Sequence, residues 1–363
     1  TQVWHRGPVR EAGDRRSDRH LVAPIVGRDR ELASIRRLVD RSAAGEGGAL
    51  LIEGAAGTGK TRLLEAMIIA GERAGLTVVT AAADPLGSRR PFHLAVALAA
   101  SAAADHPSAA APLTELLRSV EARSEPVALA PPGFARVAVI DAFVARIEDL
   151  ATGPCLLTVE DLHWADDASV AAVRALLPLT ADLPLLLAVT TRPTERSAAT
   201  DTFARDLGDR GTIHTLDDLA PSDALTLARL LLEAEAGPRL ARLVARFGGN
   251  PFLCTELVRE LDRHGHLHHN GRVVELGSDD EAEVLAMRAL GGRLDGAGPD
   301  LIDLLQVGAV IGTTFSLRDT AALTGRPAAD FARAATEGIE RGLVVATGSD
   351  LRFRHELLRD RVY

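Results

Sequence analysis

Of the 41 basic residues in this chain, 40 are arginine and one is lysine, Lys60. Lys60 stands in Gly54-Ala55-Ala56-Gly57-Thr58-Gly59-Lys60-Thr61, the G-x-x-x-x-G-K-T spacing of a phosphate-binding loop. In such a loop the backbone N–H groups of residues 57–62, from Gly57 to Arg62, point inward around β- and γ-phosphates. The helix that follows adds the positive end of its dipole. A compact ammonium on a flexible stem follows a phosphate into this cradle, where the planar guanidinium of arginine is too wide. The Thr61 hydroxyl is then placed to ligate Mg²⁺.

The cradle requires an acidic partner at the tip of a neighbouring strand, and Leu156-Leu157-Thr158-Val159-Glu160-Asp161 supplies two. One carboxylate holds Mg²⁺ through water, and the other polarises the attacking water. Taken alone, the pair reads equally well as a cap for the following helix, and the phosphate loop upstream tips the balance toward chemistry. Thr190-Thr191-Arg192 ends a further apolar run, and an arginine there can touch a γ-phosphate and report its presence.

These residues need a scaffold. Ala49–Glu53, Leu76–Ala83, Cys155–Val159, Leu183–Thr191 and Gly211–Leu216 read as strands separated by helical patterns. That alternation predicts a parallel sheet sandwiched by helices, with ligands beyond the carboxyl ends of the strands. Residues 92–150 read as helical and Ala-rich, broken at Pro107, Pro112 and Pro131-Pro132. From Ala220 the pattern is helical, including a helix 253–263 after Gly248-Gly249-Asn250-Pro251. The end reads as helices 300–311, 317–324 and 328–341, a hairpin 343–353 and a short last helix, a winged-helix shape. The expected division is an arm at 1–22, a nucleotide-binding domain at 23–216, a helical lid at 217–295 and a winged-helix domain at 296–363.

Composition narrows the class. Hydrophobic residues make up 47% and aromatics only 3%, which favours helices and buried parallel strands over a β-sandwich. A net charge of −9 argues against a broad nucleic-acid footprint. Cys155 and Cys254 lie in apolar contexts and read as reduced core thiols, which suits a cytoplasmic location. No apolar run approaches bilayer length, residues 1–20 lack signal-peptide character, and no membrane partner is expected. The start at Thr1 rather than Met reads as a piece of a larger protein. His264, His266, His268 and His269 fit no closed zinc site, and Gly265 and Gly271 suggest an exposed hairpin. In the third winged-helix helix, Asp330, Glu337 and Glu340 offset Arg333 and Arg341, so interdomain packing is expected rather than groove reading.

Together the motifs resemble the ATPase module of the STAND class (signal-transduction ATPases with numerous domains), within it the large LuxR-type, MalT-like regulators. The stretches that carry the resemblance are Val26-Gly27-Arg28-Asp29-Arg30-Glu31-Leu32, Gly54–Thr61, Val159-Glu160-Asp161-Leu162-His163-Trp164-Ala165-Asp166, Thr190-Thr191-Arg192, Gly248-Gly249-Asn250-Pro251-Phe252 and Phe353-Arg354-His355-Glu356-Leu357-Leu358-Arg359-Asp360. The resemblance implies an α/β P-loop NTPase fold of the AAA+/STAND kind, followed by the lid and winged helix. It implies that Val26 and Arg28, flanking Gly27, contact adenine or ribose, and that Pro251 packs on the base. It also implies that His355 reaches the ADP β-phosphate and that Arg192 senses the γ-phosphate. Glu160 stands where the wider class has Asp, so the division of roles between Glu160 and Asp161 stays open.

The implied activity is an ATP/ADP switch with slow hydrolysis, driven by an inducer the sequence does not name. The ATP state is expected to self-associate, and DNA contact is expected only through a further domain beyond Tyr363. Two other activities compete: a turnover enzyme, either an AAA+-like motor or a small-molecule kinase, and an interaction module with a degenerate nucleotide site. A kinase needs a basic lid, which 220–262 does not offer, and a motor needs an arginine finger in trans, which one sequence cannot assign. The intact loop and acidic pair weigh against the third reading.

Overall fold

The computed structural model describes residues 25–83, 90–104, 134–193, 196–246, 248–277, 296–312, 314–353, 358–359 and 362–363. The expected arm, the proline breaks between 105 and 133, and His355 lie outside the described residues. The chain divides into two units: Arg30–Gly54 with Lys60–Leu216, and Thr1–Asp29 with Ala55–Gly59 and Asp217–Tyr363.

The first unit is built on five parallel strands: β1 (Gly48–Gly54), β2 (Thr77–Ala82), β3 (Cys155–Glu160), β4 (Leu185–Thr191) and β5 (Thr212–Leu216). Their order across the sheet is β2-β3-β4-β1-β5. Strands β3, β4 and β1 lie between neighbours and are mostly apolar and buried along nearly their whole length, as strands covered on both faces are. The edge strands β2 and β5 alternate in burial. Helix α1 (Asp29–Ala43) precedes β1, and α2 (Lys60–Arg73) follows the glycine loop. The main core gathers Leu157 and Val159 of β3 with residues of α3 (His93–Ala104), α4 (Phe134–Leu150), α5 (Asp167–Ala175) and α7 (Ala198–Gly208). A short α6 (Leu179–Asp182) leads into β4. Leu156 faces the other side, against α2, where a methyl on Gly71 would stand 3.0 Å from its Cδ2.

Among the described residues of the second unit, two cores stand out. One combines Leu227 and Leu231 of α8 (Pro221–Leu232), Leu240 of α9 (Pro238–Arg246) and Leu257 and Leu261 of α10 (Pro251–Arg263). Each of these helices opens on proline, whose fixed φ and missing N–H suit the first helical position. A small sheet β6-β8-β7 packs with them, from β6 (Glu235–Ala236), β7 (Leu267–Asn270) and β8 (Val273–Leu276). The hairpin implied by Gly265 and Gly271 is β7–β8, while β6 has no sequence signature at two residues.

The other core joins α11 (Pro299–Ile311), α12 (Leu317–Thr324) and α13 (Ala332–Glu340) to an antiparallel sheet β10-β11-β9. The strands are β9 (Thr314–Ser316), β10 (Val344–Thr347) and β11 (Asp350–Phe353). One expectation needs correcting: 328–341 is not a single helix. A 3₁₀ turn at Ala328–Phe331 precedes α13, and the tighter turn delivers Phe331 fully into the core beneath Arg326, 4.7 Å away.

Candidate functional site

In the first unit, β1 delivers Gly54 and α2 begins at Lys60. Lys60 is 6% exposed, and its Nζ donates to the Gly54 carbonyl at 2.9 Å. One residue on, the Thr61 hydroxyl donates to the Glu160 carboxylate at the tip of β3. A hydroxyl beside a carboxylate is a hard oxygen donor pair, and it fits Mg²⁺.

Asp161 is the next residue, and its backbone turns left-handed (φ 53°, ψ 48°), a conformation Asp tolerates better than most residues. Its N–H donates to the Thr190 hydroxyl at 2.8 Å, and Thr190 is fully buried at the end of β4. That bond fixes the backbone where the chain leaves β3. Glu160 continues the strand toward Thr61, whereas Asp161 starts a 3₁₀ turn, Leu162–Trp164. The Thr190-Thr191-Arg192 motif points to Arg192 as the functional residue and gives Thr190 no role. The only hint of Thr190 is a hydroxyl two residues before the arginine.

His163 is buried, with Nδ1 3.8 Å from the Asp161 carboxylate and its ring centroid 5.0 Å from that of Trp164 at a 46° tilt. Burial first, then the positive charges of Arg192 and Lys60, push its pKa down to about 3, so the imidazole is neutral at neutral pH. The same shift sets Arg192 and Lys60 in one electrostatic neighbourhood around His163. Asp166, the last acidic residue of the motif, works as a scaffold. It caps α5 through the Ala168 and Ser169 N–H groups, accepts the Phe92 N–H at 2.9 Å and accepts the Ser169 hydroxyl at 2.5 Å.

A second polar cluster was not foreseen. Glu53, one residue before Gly54, accepts from Arg196 and, at 3.1 Å, from the Thr215 hydroxyl of β5. Both charged side chains are largely buried, which ties the segment after Arg192 to the end of β1.

In the second unit, Val26 is buried against the helical core and Gly27 has φ +67°. A methyl on Gly27 would stand 2.6 Å from the Asp223 carboxylate, so glycine is required there on two counts. Arg28 is 9% exposed; its guanidinium donates to the Thr58 carbonyl at 3.2 Å and to the Asp217 carbonyl. Gly57 (φ +80°) and Gly59 (φ +98°) adopt the left-handed backbone that the tight loop demands. Thr58 turns its hydroxyl back on the Ala55 carbonyl at 2.9 Å. Asn250 caps α10, Pro251 opens it, and Phe252 is half exposed beside them. Arg62 sits in the first turn of α2 and pairs with Glu65 at 2.5 Å. Among the described residues no group of three or more His, Cys, Asp or Glu could hold a metal ion. His264 closes α10 instead, with Nδ1 2.9 Å from the Glu260 carbonyl. Cys155 and Cys254 are buried free thiols, with pKa values pushed up by burial to about 11 and about 12. Among the described residues no helix is long and apolar enough to cross a membrane.

Comparison with known proteins relates this chain to a family, a relative and two solved structures. Residues 24–189 match the AAA ATPase domain family. An uncharacterized protein of Rhizobium meliloti (strain 1021) is 27% identical over 204 residues, which covers 49% of this chain and 19% of that protein. The chain therefore spans less than a fifth of that relative's length. A Walker-type ATPase of Pyrococcus abyssi superposes with a TM-score of 0.57 at 14% identity, covering 93% of this chain and 96% of that one. The ORC1 protein of Aeropyrum pernix, solved in complex with DNA, gives 0.52 at 13% identity over 95% and 94% of the two chains. At such identities the likeness concerns the fold alone.

Proposed function

We propose that this chain, whose residues 24–189 match the AAA ATPase domain family, is a regulatory switch that binds ATP and ADP and hydrolyses ATP slowly. The observation that carries the nucleotide reading is the Thr61 hydroxyl on the Glu160 carboxylate, next to the buried ammonium of Lys60. Mg²⁺, when bound, would supply charge neutralisation at the phosphate oxygens, with Thr61 and Glu160 as its holders. Lys60 contributes the fixed positive charge. Asp161, its backbone held by Thr190, is the candidate to orient and polarise the attacking water. Arg192 is the candidate reporter of the γ-phosphate, and the Val26-Gly27-Arg28 segment with Pro251 serves base and ribose. His355 is assigned the ADP β-phosphate by resemblance alone.

The regulatory half of the reading is supported by the STAND-like, LuxR-type motif set and by the three helices and three-stranded sheet of residues 299–353, taken as a winged helix. In this account ADP holds the closed form, and ATP with an inducer favours an open form that self-associates.

The test is to extract the purified protein, identify the released nucleotide by chromatography and measure turnover on the same preparation. Copurified ADP with near-zero turnover is the expected result. Many ATP hydrolysed per second without a partner would make the chain a motor instead.

A further inference from the structure

Three consecutive carbonyls of the phosphate loop are each held by a different donor, all within the second unit. The Ala56 carbonyl accepts from Asn250 Nδ2 at 3.1 Å, the Gly57 carbonyl from the Phe252 N–H at 3.3 Å, and the Thr58 carbonyl from Arg28 at 3.2 Å. A trans peptide is planar, so its N–H points opposite to its C=O. Holding these three carbonyls therefore turns the N–H groups of Gly57, Thr58 and Gly59 to the other side of the loop. The Thr58 N–H closes a long 3.4 Å turn on the Ala55 carbonyl, which leaves Gly57 and Gly59 as the amides so aimed.

Asn250 is the centre of this arrangement. It is fully buried, and its two side-chain atoms do different work. Oδ1 accepts the Leu253 N–H at 3.3 Å and starts α10. Nδ2 reaches Ala56, 194 positions away in sequence, and also lies 3.4 Å from the Asp218 carboxylate. Gly249, just before it, accepts the Leu219 N–H at 2.8 Å and has φ +78°, with the Leu219 carbonyl where a Cβ would go. The segment that presents Asn250 is thus itself fixed.

We propose that Asn250, with Arg28, is a positioning residue for nucleotide binding: it clamps the carbonyl face of the phosphate loop and makes the inward aim of the loop amides depend on the start of α10. This rests on the nucleotide reading above. It makes α10 the element through which occupancy of the loop is coupled to the helical part of the second unit.

Asn250→Ser tests it, because serine keeps the cap acceptor and loses the Nδ2 donor. Two measurements are made: calorimetry with ADP and MgATP, and hydrogen exchange of the nucleotide-free protein resolved to peptides covering 55–59 and 253–258. The expected result is affinity weakened roughly five- to tenfold, as loss of one or two buried hydrogen bonds implies. Exchange should quicken at 55–59 and stay unchanged at 253–258. Wild-type affinity together with wild-type exchange at 55–59 would overturn the proposal and leave Asn250 a helix cap. Faster exchange at 253–258 alone overturns it too. Should Asn250→Ser not fold, Arg28→Gln, which cannot span to the Thr58 and Asp217 carbonyls, must show the same loop signature, and its absence is equally fatal. A wild-type protein that binds neither nucleotide sinks the function, while the exchange arm still decides the clamp.

Discussion

Glu160 and Asp161 are neighbours in sequence with different surroundings. Glu160 accepts the Thr61 hydroxyl; Asp161 is rotated into a left-handed turn and pinned by Thr190. The two single variants should therefore differ. Glu160→Ala should weaken MgATP binding while leaving metal-free ADP binding nearly intact, read by calorimetry with and without Mg²⁺. Asp161→Asn should keep MgATP affinity and cut the already slow hydrolysis by about 10²–10⁴-fold, the range for a lost general base, read by single-turnover kinetics. Equal losses of affinity in both variants would contradict the division. At this scale the sequence was legible where two motifs meet in the fold, as Thr61 of Gly54–Thr61 meets Glu160. It was silent where a side chain meets a distant backbone group. Thr190 on the Asp161 N–H, Asn250 on the Ala56 carbonyl and Arg28 on the Thr58 carbonyl have no spacing rule to announce them.

Among elements, the junction of α3 and α5 depends on one carboxylate. Asp166 satisfies the first N–H groups of α5, the Phe92 N–H before α3 and the Ser169 hydroxyl, whose oxygen in turn accepts the Leu94 N–H at 3.2 Å. Asp166→Ala removes a cap and leaves buried donors unpaired, for a loss of about 2–4 kcal/mol. Chemical denaturation should show a lower midpoint, while nucleotide affinity of the folded fraction stays near wild type. A loss of affinity without a loss of stability would move Asp166 from scaffold to site. The central strands of the first sheet were legible because buried parallel strands read as near-continuous apolar runs, as in Leu185–Val189. Strands β6 and β9, two and three residues long, pair only because the tertiary structure brings partners to them. The 3₁₀ turn at Ala328–Phe331 was equally hidden, since burial of Phe331 rather than local propensity sets it.

For the whole molecule, the proposed work is a change of state rather than turnover. A ligand shifts such an equilibrium only by its differential affinity for the two forms. The ATP-loaded protein should therefore run larger than the ADP-loaded protein by light scattering after gel filtration, with Arg192→Ala abolishing the difference. Identical masses in both states would remove the self-associating form from the mechanism. All of this presumes that the loop around the chain's single lysine grips a phosphate tail. Calorimetric titration of ADP and MgATP into wild-type protein and Lys60→Ala examines that directly. Saturable binding by the wild type and none by the variant is predicted; micromolar affinity surviving in Lys60→Ala would contradict it.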